Sequence, residues 1–538
     1  MMRRIFGREW EGSRWHDWAI ALAAIAAVAL RWLQGPQIVD DAYITFRYAR
    51  NLVGGLGFVY NAGERVLGTT TPLYTLLLAL GGILPASHAH LALAINAVSD
   101  GLTCILLAGL IWRLSGSRRG AVLGAVAFAL CSQSVAGAVT GMETSLFTVL
   151  LVAAFYLYVS GRSVASAAVF GLAVLTRPEA VVAAGLAFLG IFAAKRWAAW
   201  REAAAFALVV LPWFAFAFAY FGSPVMNSVW AKGQSYQPMP AFSALVNFCA
   251  RFSNLFVDQI AGRLGNLPVL SALIAWPARS VLLNEHYTPW FPVLAAAQAL
   301  LWGVGAWAAL RRRAAAWPVF AFPLAYAAAY SVVNPLMFEW YFVPPVPFYI
   351  AGIVVGLMAA GRWAQRGVGA LRRVEAGAFA AALGAVFAVQ LLGYNLLPDA
   401  GGGWLSLRRP IWLEREHLYR DVAQMLDPAV TPDTVIAAPE IGAIGYYCDA
   451  TILDTVGLVS PQAIPFNPVD PALTDSNYAV PEPLVYAFMP EYIVALEIFI
   501  RKTLLASEEF RSVYTLLMRV ETRAWGTDGL LVFRRTTP

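Results

Sequence analysis

The stretch Gln37-Ile38-Val39-Asp40-Asp41-Ala42-Tyr43 comes a few residues after the apolar segment Ala19–Leu30, itself preceded by Arg3, Arg4, Arg8 and Arg14. Carboxylates are costly at a membrane boundary, so a pair held beside an apolar helix points to chemistry as well as to local structure. Which side of a membrane the pair faces decides how the rest of the chain is read. The 538 residues are 59% hydrophobic and only 13% charged, with a mean hydropathy of +0.62. Soluble chains carry about a quarter charged residues. Repeated apolar runs of spanning length therefore predict a mainly α, polytopic membrane helix bundle. The net charge of +6 sits in short clusters between those runs, the pattern of cytoplasmic loops, and argues against nucleic acid as a partner. The N-terminus has the charged and apolar regions of a signal peptide, but many spans follow and a retained first helix is expected. Cys104, Cys131, Cys249 and Cys448 have no paired spacing and predict neither a disulfide framework nor a thiolate metal site.

The basic clusters are Arg3–Arg14, Arg113/Arg118/Arg119, Lys195/Arg196/Arg201, Arg311–Arg313 and Arg362/Arg366/Arg372/Arg373. Between them, spans are predicted near 18–33, 90–113, 119–138, 142–160, 163–176, 178–194, 203–221, 290–310, 316–333, 341–360 and 375–397. The interrupted region 241–288 adds either interfacial helices or one more pair, so the total is about 11–13 spans. With the N-terminus inside, every basic cluster is cytoplasmic and residues 34–89 form a large first outer loop. Residues 140–145, 177–179, 221–236, 334–341 and everything after about 398 share that face. Residues 1–397 thus read as a transmembrane domain. Residues 398–538 read as an exported α/β domain, with a helix at 412–426 and strands at 434–439, 450–454, 492–496, 514–521 and 530–534.

Several outer-face residues carry candidate chemistry. Asp40 and Asp41 open a helix ended by Gly54-Gly55; they suit an N-cap and first turn, and equally a base for an acceptor hydroxyl. Thr71 before Pro72 reads as a helix start. Glu143 is either a cap or a third carboxylate facing the pair. Arg177 and Glu179 flank Pro178 as an ion pair or a substrate contact. Asn227, Ser228 and Lys232 suit a phosphodiester headgroup, although interfacial lysines also snorkel. Trp340 and Tyr341 fit interface anchors, and aromatics also stack on sugars. Asp454-Thr455-Val456-Gly457-Leu458 reads as a strand and tight turn with a structural role. Gly54-Gly55-Leu56-Gly57 is not a nucleotide loop, so an activated substrate is expected to be lipid-borne.

Asp40–Leu52 with Phe58-Val59-Tyr60-Asn61 and Gly63-Glu64-Arg65-Val66 resembles the first outer loop of GT-C-fold glycosyltransferases, in particular the arabinofuranosyltransferase-like membrane proteins of bacterial envelopes. Thr140–Thr144, Leu175–Ala180, Gly222–Lys232, Trp340–Pro347 and Glu440-Ile441-Gly442…Asp454…Gly457-Leu458 resemble that group in kind and order. The resemblance implies sugar transfer from a polyprenyl-phosphate donor to an envelope glycan, lipid or protein acceptor at the outer face of the plasma membrane. Asp40 or Asp41 would be the base, with Asp40 preferred as the first of the pair. Asn227 and Lys232 would match the donor-phosphate region, where relatives read Pro-Leu-Pro-Asn-Thr and this chain has Pro224-Val225-Met226-Asn227-Ser228. The sequence requires no cofactor, and the resemblance leaves room for a divalent metal held by the carboxylates. The competing reading is a transporter or flippase of lipid-linked sugars, for which internal repeats and helices broken at mid-membrane would be expected.

Overall fold

The computed structural model describes residues 10, 14–235, 240–243, 245, 278–279, 286–287, 291–333, 338–367, 412–476, 478–523 and 526–536. Its N-terminal part runs α1 (Arg14–Gln34), α2 (Asp40–Val53), α3 (Pro72–Gly81), α4 (His88–Ser115), α5 (Arg118–Leu130), α6 (Ser132–Val139), α7 (Thr144–Val159), α8 (Ser163–Thr176), α9 (Ala180–Lys195), α10 (Trp200–Phe221) and α11 (Asn227–Ser235). It continues with α12 (Phe291–Arg312), α13 (Trp317–Val333) and α14 (Val346–Gly367). Ten of the eleven predicted spans are helices. The run 375–397 and most of 241–288 lie outside the described residues.

Among the described residues, five helical stretches are long and apolar enough to cross a membrane unaided, or six if the bent pair α5–α6 counts as one. One of the five is the 42-residue stretch Ala180–Phe221, which folds back on itself. The rings of Phe188 and Phe206 are 5.5 Å apart, whereas those 18 residues of straight helix would separate them by about 27 Å. The reversal is at Arg196, whose φ of 48° is left-handed. α8 is short, at about 21 Å, and packs between α7, α9 and α10.

The bend between α5 and α6 is 49°. Cys131 leaves helical geometry there (φ −62°, ψ 108°) and frees carbonyls that lipid cannot satisfy. Arg31, fully buried on α1, answers them. Its guanidinium donates to Ala129 O and Phe128 O, to Ser134 Oγ at 3.0 Å, and pairs with Asp100 of α4 at 2.8 Å. The bend turns the 139–143 segment toward the start of α2, where Gln37 N and Val39 N donate to the carbonyls of Val139 and Thr140 (2.8 and 3.0 Å).

The C-terminal part contains α15 (Trp412–Leu426), β1 (Val435–Ala438), α16 (Gly442–Tyr447), β2 (Thr451–Asp454), α17 (Glu482–Phe488), β3 (Tyr492–Leu496), α18 (Glu508–Val513), β4 (Tyr514–Val520) and β5 (Leu530–Arg535). All five strands and the first helix fall where the sequence places them. The sheet order is β2-β1-β3-β5-β4: β1 is parallel to β2 and β3, and β5 is antiparallel to β3 and β4. Its core residues Ile436, Ile452, Val494 and Val532 belong to one buried cluster with Phe46, Tyr48 and Tyr60. The 34–89 segment therefore lies between bundle and sheet and is packed into the core of the second.

Candidate active site

Seven chain segments meet in one cleft of about 490 Å³, open mouth included. α2 contributes Asp41, Ile44 and Thr45; the 68–71 segment contributes Gly68 to Thr71; the α6–α7 junction contributes Met142 and Glu143. Arg177, Ser228, Lys232, Tyr341 and, from the C-terminal domain, Leu458 complete it. At the opposite end of the bundle Arg313 donates to the Val159 carbonyl and Lys195 pairs with Glu202. The predicted separation of polar chemistry from basic loops is therefore present in the packing.

The two aspartates part company. Successive helical residues point about 100° apart, so only one of them faces the cleft. Asp41 does, with its Oδ2 3.7 Å from Lys232 Nζ and both side chains about a quarter exposed (29% and 26%). Asp40 is buried and turns to the C-terminal domain, where its two oxygens accept from Gly442 N (2.8 Å) and Ala443 N (2.9 Å). The expected N-cap of α2 is instead Val39, without a side-chain bond; Asp40 caps a different helix, α16. Burial pushes the Asp40 carboxyl up to about 7, helped by nearby Glu440 and opposed by Arg415 and the two N–H donors.

Glu143 makes no cap bond either. It lies 3.3 Å from Arg177 Nη1, while Arg177 Nε donates to Glu179 at 2.5 Å and Tyr330 Oη donates to the same oxygen at 2.7 Å. Burial raises the Glu143 carboxyl to about 6 against the pull of Arg177. Arg177 lies over the Tyr341 ring, 4.9 Å from its centroid, and its Nη1 makes no aligned hydrogen bond among the described residues. Arg177 lines the cleft, with Glu143 beside this buried donor. Ser228 Oγ is likewise buried at the cleft without a hydrogen-bond partner among the described residues.

Asn227 is placed elsewhere. Its Nδ2 donates to Gly457 O (2.6 Å) and Leu458 O (3.0 Å), holding the C-terminal domain's turn against the cleft wall. Trp340 is buried and stacked on Phe338, 4.7 Å between centroids, behind Tyr341. Glu179 acts on the cleft through Arg177. The Asp454 turn is structural as read: the carboxylate accepts from Val456 N and Val459 N (2.9 and 3.0 Å). Sequence reading missed the threonine wall. Thr69 Oγ1 is 3.1 Å from Thr71 Oγ1, which is 3.5 Å from Thr45 Oγ1. A run of three hydroxyls in an outer loop was the available signal. Among the described residues no three His, Cys, Asp or Glu side chains converge as a metal site. Asp41 and Glu143 are the two carboxylates that line the cleft.

ArnT from Cupriavidus metallidurans, bound to undecaprenyl phosphate, superposes with a TM-score of 0.54 over 96% of this chain and 97% of its own, at 14% identity. The oligosaccharyltransferase AglB from Archaeoglobus fulgidus, in complex with an inhibitory peptide and a dolichol-phosphate, gives 0.54 over 90% and 70%, at 15% identity. The protein has the GT-C fold. Within this GT-C chain, residues 409–533 match a domain of unknown function (DUF8728). A terminal beta-(1->2)-arabinofuranosyltransferase of Mycobacterium tuberculosis is 31% identical over 219 residues, which is 36% of this chain. The match spans about a third (35%) of that relative's length.

Proposed function

We propose that this multi-pass membrane protein is a glycosyltransferase that takes a sugar, a pentose by its closeness to the arabinofuranosyltransferase, from a polyprenyl-phosphate donor. The acceptor is an envelope glycan, lipid or protein hydroxyl, and the cleft opens at the outer face of the plasma membrane. One observation carries the reading: a partly exposed carboxylate and two cations share a hydroxyl-lined cleft at the bundle end away from the basic loops.

Asp41 takes the proton of the acceptor hydroxyl as that oxygen attacks the anomeric carbon from the face opposite the phosphate. The bond from the anomeric carbon to the phosphate oxygen breaks, the centre inverts, and the proton ends on Asp41. The charge left on polyprenyl phosphate is met by Lys232 and by the Arg177 Nη1 donor. Ser228 and the Thr69–Thr71 wall present hydroxyls, which both donate and accept, to the sugar or phosphate oxygens. Placing Asp41 rather than Asp40 at the reacting oxygen reverses the preference drawn from the resemblance, because Asp40 is committed to Gly442 and Ala443. The ionisable groups of the cleft cluster at one membrane face, which suits an enzyme better than a carrier. The test is transfer from polyprenyl-phosphate pentose and hexose donors by purified protein, with movement of intact lipid sugar across vesicles measured in parallel. Movement without transfer would establish the flippase instead.

A further inference from the structure

α2 is one helix with two occupied faces. Asp40, Tyr43, Arg47 and Arg50 fall at i, i+3, i+7 and i+10, a single stripe, and each contacts the C-terminal domain. Asp40 accepts from Gly442 N and Ala443 N. The Tyr43 ring packs on Tyr446 and Tyr447, each at 5.4 Å. Arg47 donates to Gly445 O and Ala450 O, both at 2.7 Å, and Arg50 to Tyr446 O at 2.7 Å. The neighbouring stripe, Asp41, Ile44 and Thr45, lines the cleft.

The fit is close. A Cβ on Gly442 would lie 1.9 Å from the Asp40 carbonyl oxygen, and one on Gly445 would lie 1.9 Å from Tyr60 Oη. Just past α2, Tyr60 Oη donates to Ile441 O (2.6 Å), while Asn61 donates to Ile452 O (2.9 Å) and accepts from Ile452 N (3.0 Å). Nearly all of these bonds run from side chains of the first loop to backbone of the domain. On the far side of the cleft, Asn227 holds the turn that puts Leu458 into the wall.

We propose that the C-terminal domain is a working part of the active site: gripped by one stripe of α2, it sets the rotation of that helix and so aims Asp41 into the cleft, with Asp40 as a positioning residue and Leu458 as part of the wall. The role of Asp41 here rests on the function proposed above. A side-chain tip lies about 5–6 Å from a helix axis, so a 20° rotation of α2 displaces the Asp41 carboxylate by about 2 Å. Misplacements of about 1 Å cost on the order of 100-fold in rate.

The test uses the full chain with two substitutions. Gly442→Ala places a methyl against the Asp40 backbone from the domain side and touches nothing in the cleft. Asp40→Asn keeps the shape but offers one oxygen to two N–H donors. Hydrogen–deuterium exchange over residues 38–53 and steady-state transfer from a polyprenyl-phosphate pentose are measured for both. The expected result is faster exchange in the first turn of α2 and kcat lowered by about 10–100-fold, with donor KM within about threefold. Unchanged α2 exchange in both variants, or loosened exchange with wild-type kcat, overturns the proposal. If the wild type transfers nothing, the glycosyltransferase reading falls and the exchange arm alone confirms or overturns the grip. Should Gly442→Ala fail to fold, the isosteric Asp40→Asn decides.

Discussion

Asp41→Asn separates chemistry from binding more cleanly than any other single change in this cleft. The amide keeps the volume and the first-turn position, but it cannot take a proton and it withdraws the charge beside Lys232. At the observed 3.7 Å, two unit charges attract by about 4 kcal/mol at an effective dielectric of 20. Both groups are about a quarter exposed (29% and 26%), so solvent screening reduces the usable coupling to about 1 kcal/mol or less. The substitution therefore leaves Lys232 readier for a phosphate, and donor KM stays level or falls by up to about fivefold. A lost general base lowers kcat by about 10²–10⁴, or about 3–5 kcal/mol of barrier. A folded but distorted cleft would instead raise donor KM, and an inactive misfolded fraction is excluded by a wild-type thermal midpoint.

The assay is initial-rate transfer from a defined polyprenyl-phosphate sugar to a soluble acceptor, with donor varied at saturating acceptor. Retention of kcat within tenfold by Asp41→Asn would refute the assignment. An inactive Asp40→Asn with unaltered α2 exchange would move the base to Asp40, which would then have to leave Gly442 and Ala443 during turnover.

Four further outcomes are expected. Arg177→Ala leaves buried Glu143 and partly buried Glu179 around a vacated cation, and breaking such a group from one side costs about 3–5 kcal/mol; a large drop in thermal midpoint in detergent checks it, with Arg177→Lys recovering only part. Asp40 binds its proton more tightly folded (about 7) than unfolded (about 3.9), so its contribution to stability is greatest below about 4 and is lost as pH rises through 7. Wild-type thermal midpoints should decline from pH 5 to 8 through this group, which faces Glu440, Glu416 and Arg415, and Asp40→Asn should flatten that decline. Either Arg31→Met or Asp100→Leu alone should lower the monodisperse yield in detergent. The double variant should recover only partly, because the carbonyls of Phe128 and Ala129 still lose their donor. Ser228→Ala, which removes a hydroxyl with no partner among the described residues, should leave stability unchanged and raise donor KM by about 5–10-fold.

The helices and strands were legible because each is written in a period the physics enforces. Val435–Ala438 and Tyr492–Leu496 are short apolar runs between turn residues, and the bundle helices are apolar runs bounded by arginines. What escaped were contacts between segments distant in sequence. Asp40 and Asp41 are chemically identical neighbours, and nothing local tells which will face Gly442, 402 residues away. Asn227, beside Ser228 and Lys232, suits a phosphate by residue type, yet its amide donates to the Gly457 and Leu458 carbonyls. Arg31 and Asp100 could have been found: each is an ionisable group inside an apolar run, and a membrane leaves such groups little choice but to pair.

The contrast between these pairs bears on how the site is made. Arg31–Asp100 binds bundle helix to bundle helix and repairs a kink, which carries Glu143 to the cleft. Asp40 and Arg47 bind the bundle's first loop to the sheet domain through backbone atoms alone. Backbone recognition demands a particular geometry from the domain but little of its side chains, apart from the two glycines that permit close approach and the Tyr446 and Tyr447 rings packed on Tyr43. A domain held this way can vary over most of its surface while the position of Asp41 stays fixed. On this argument, substitutions at Gly442 or Gly445, both remote from the reacting atoms, should impair turnover more than changes to the exposed side chains of β4, whose Leu516 and Leu517 face outward.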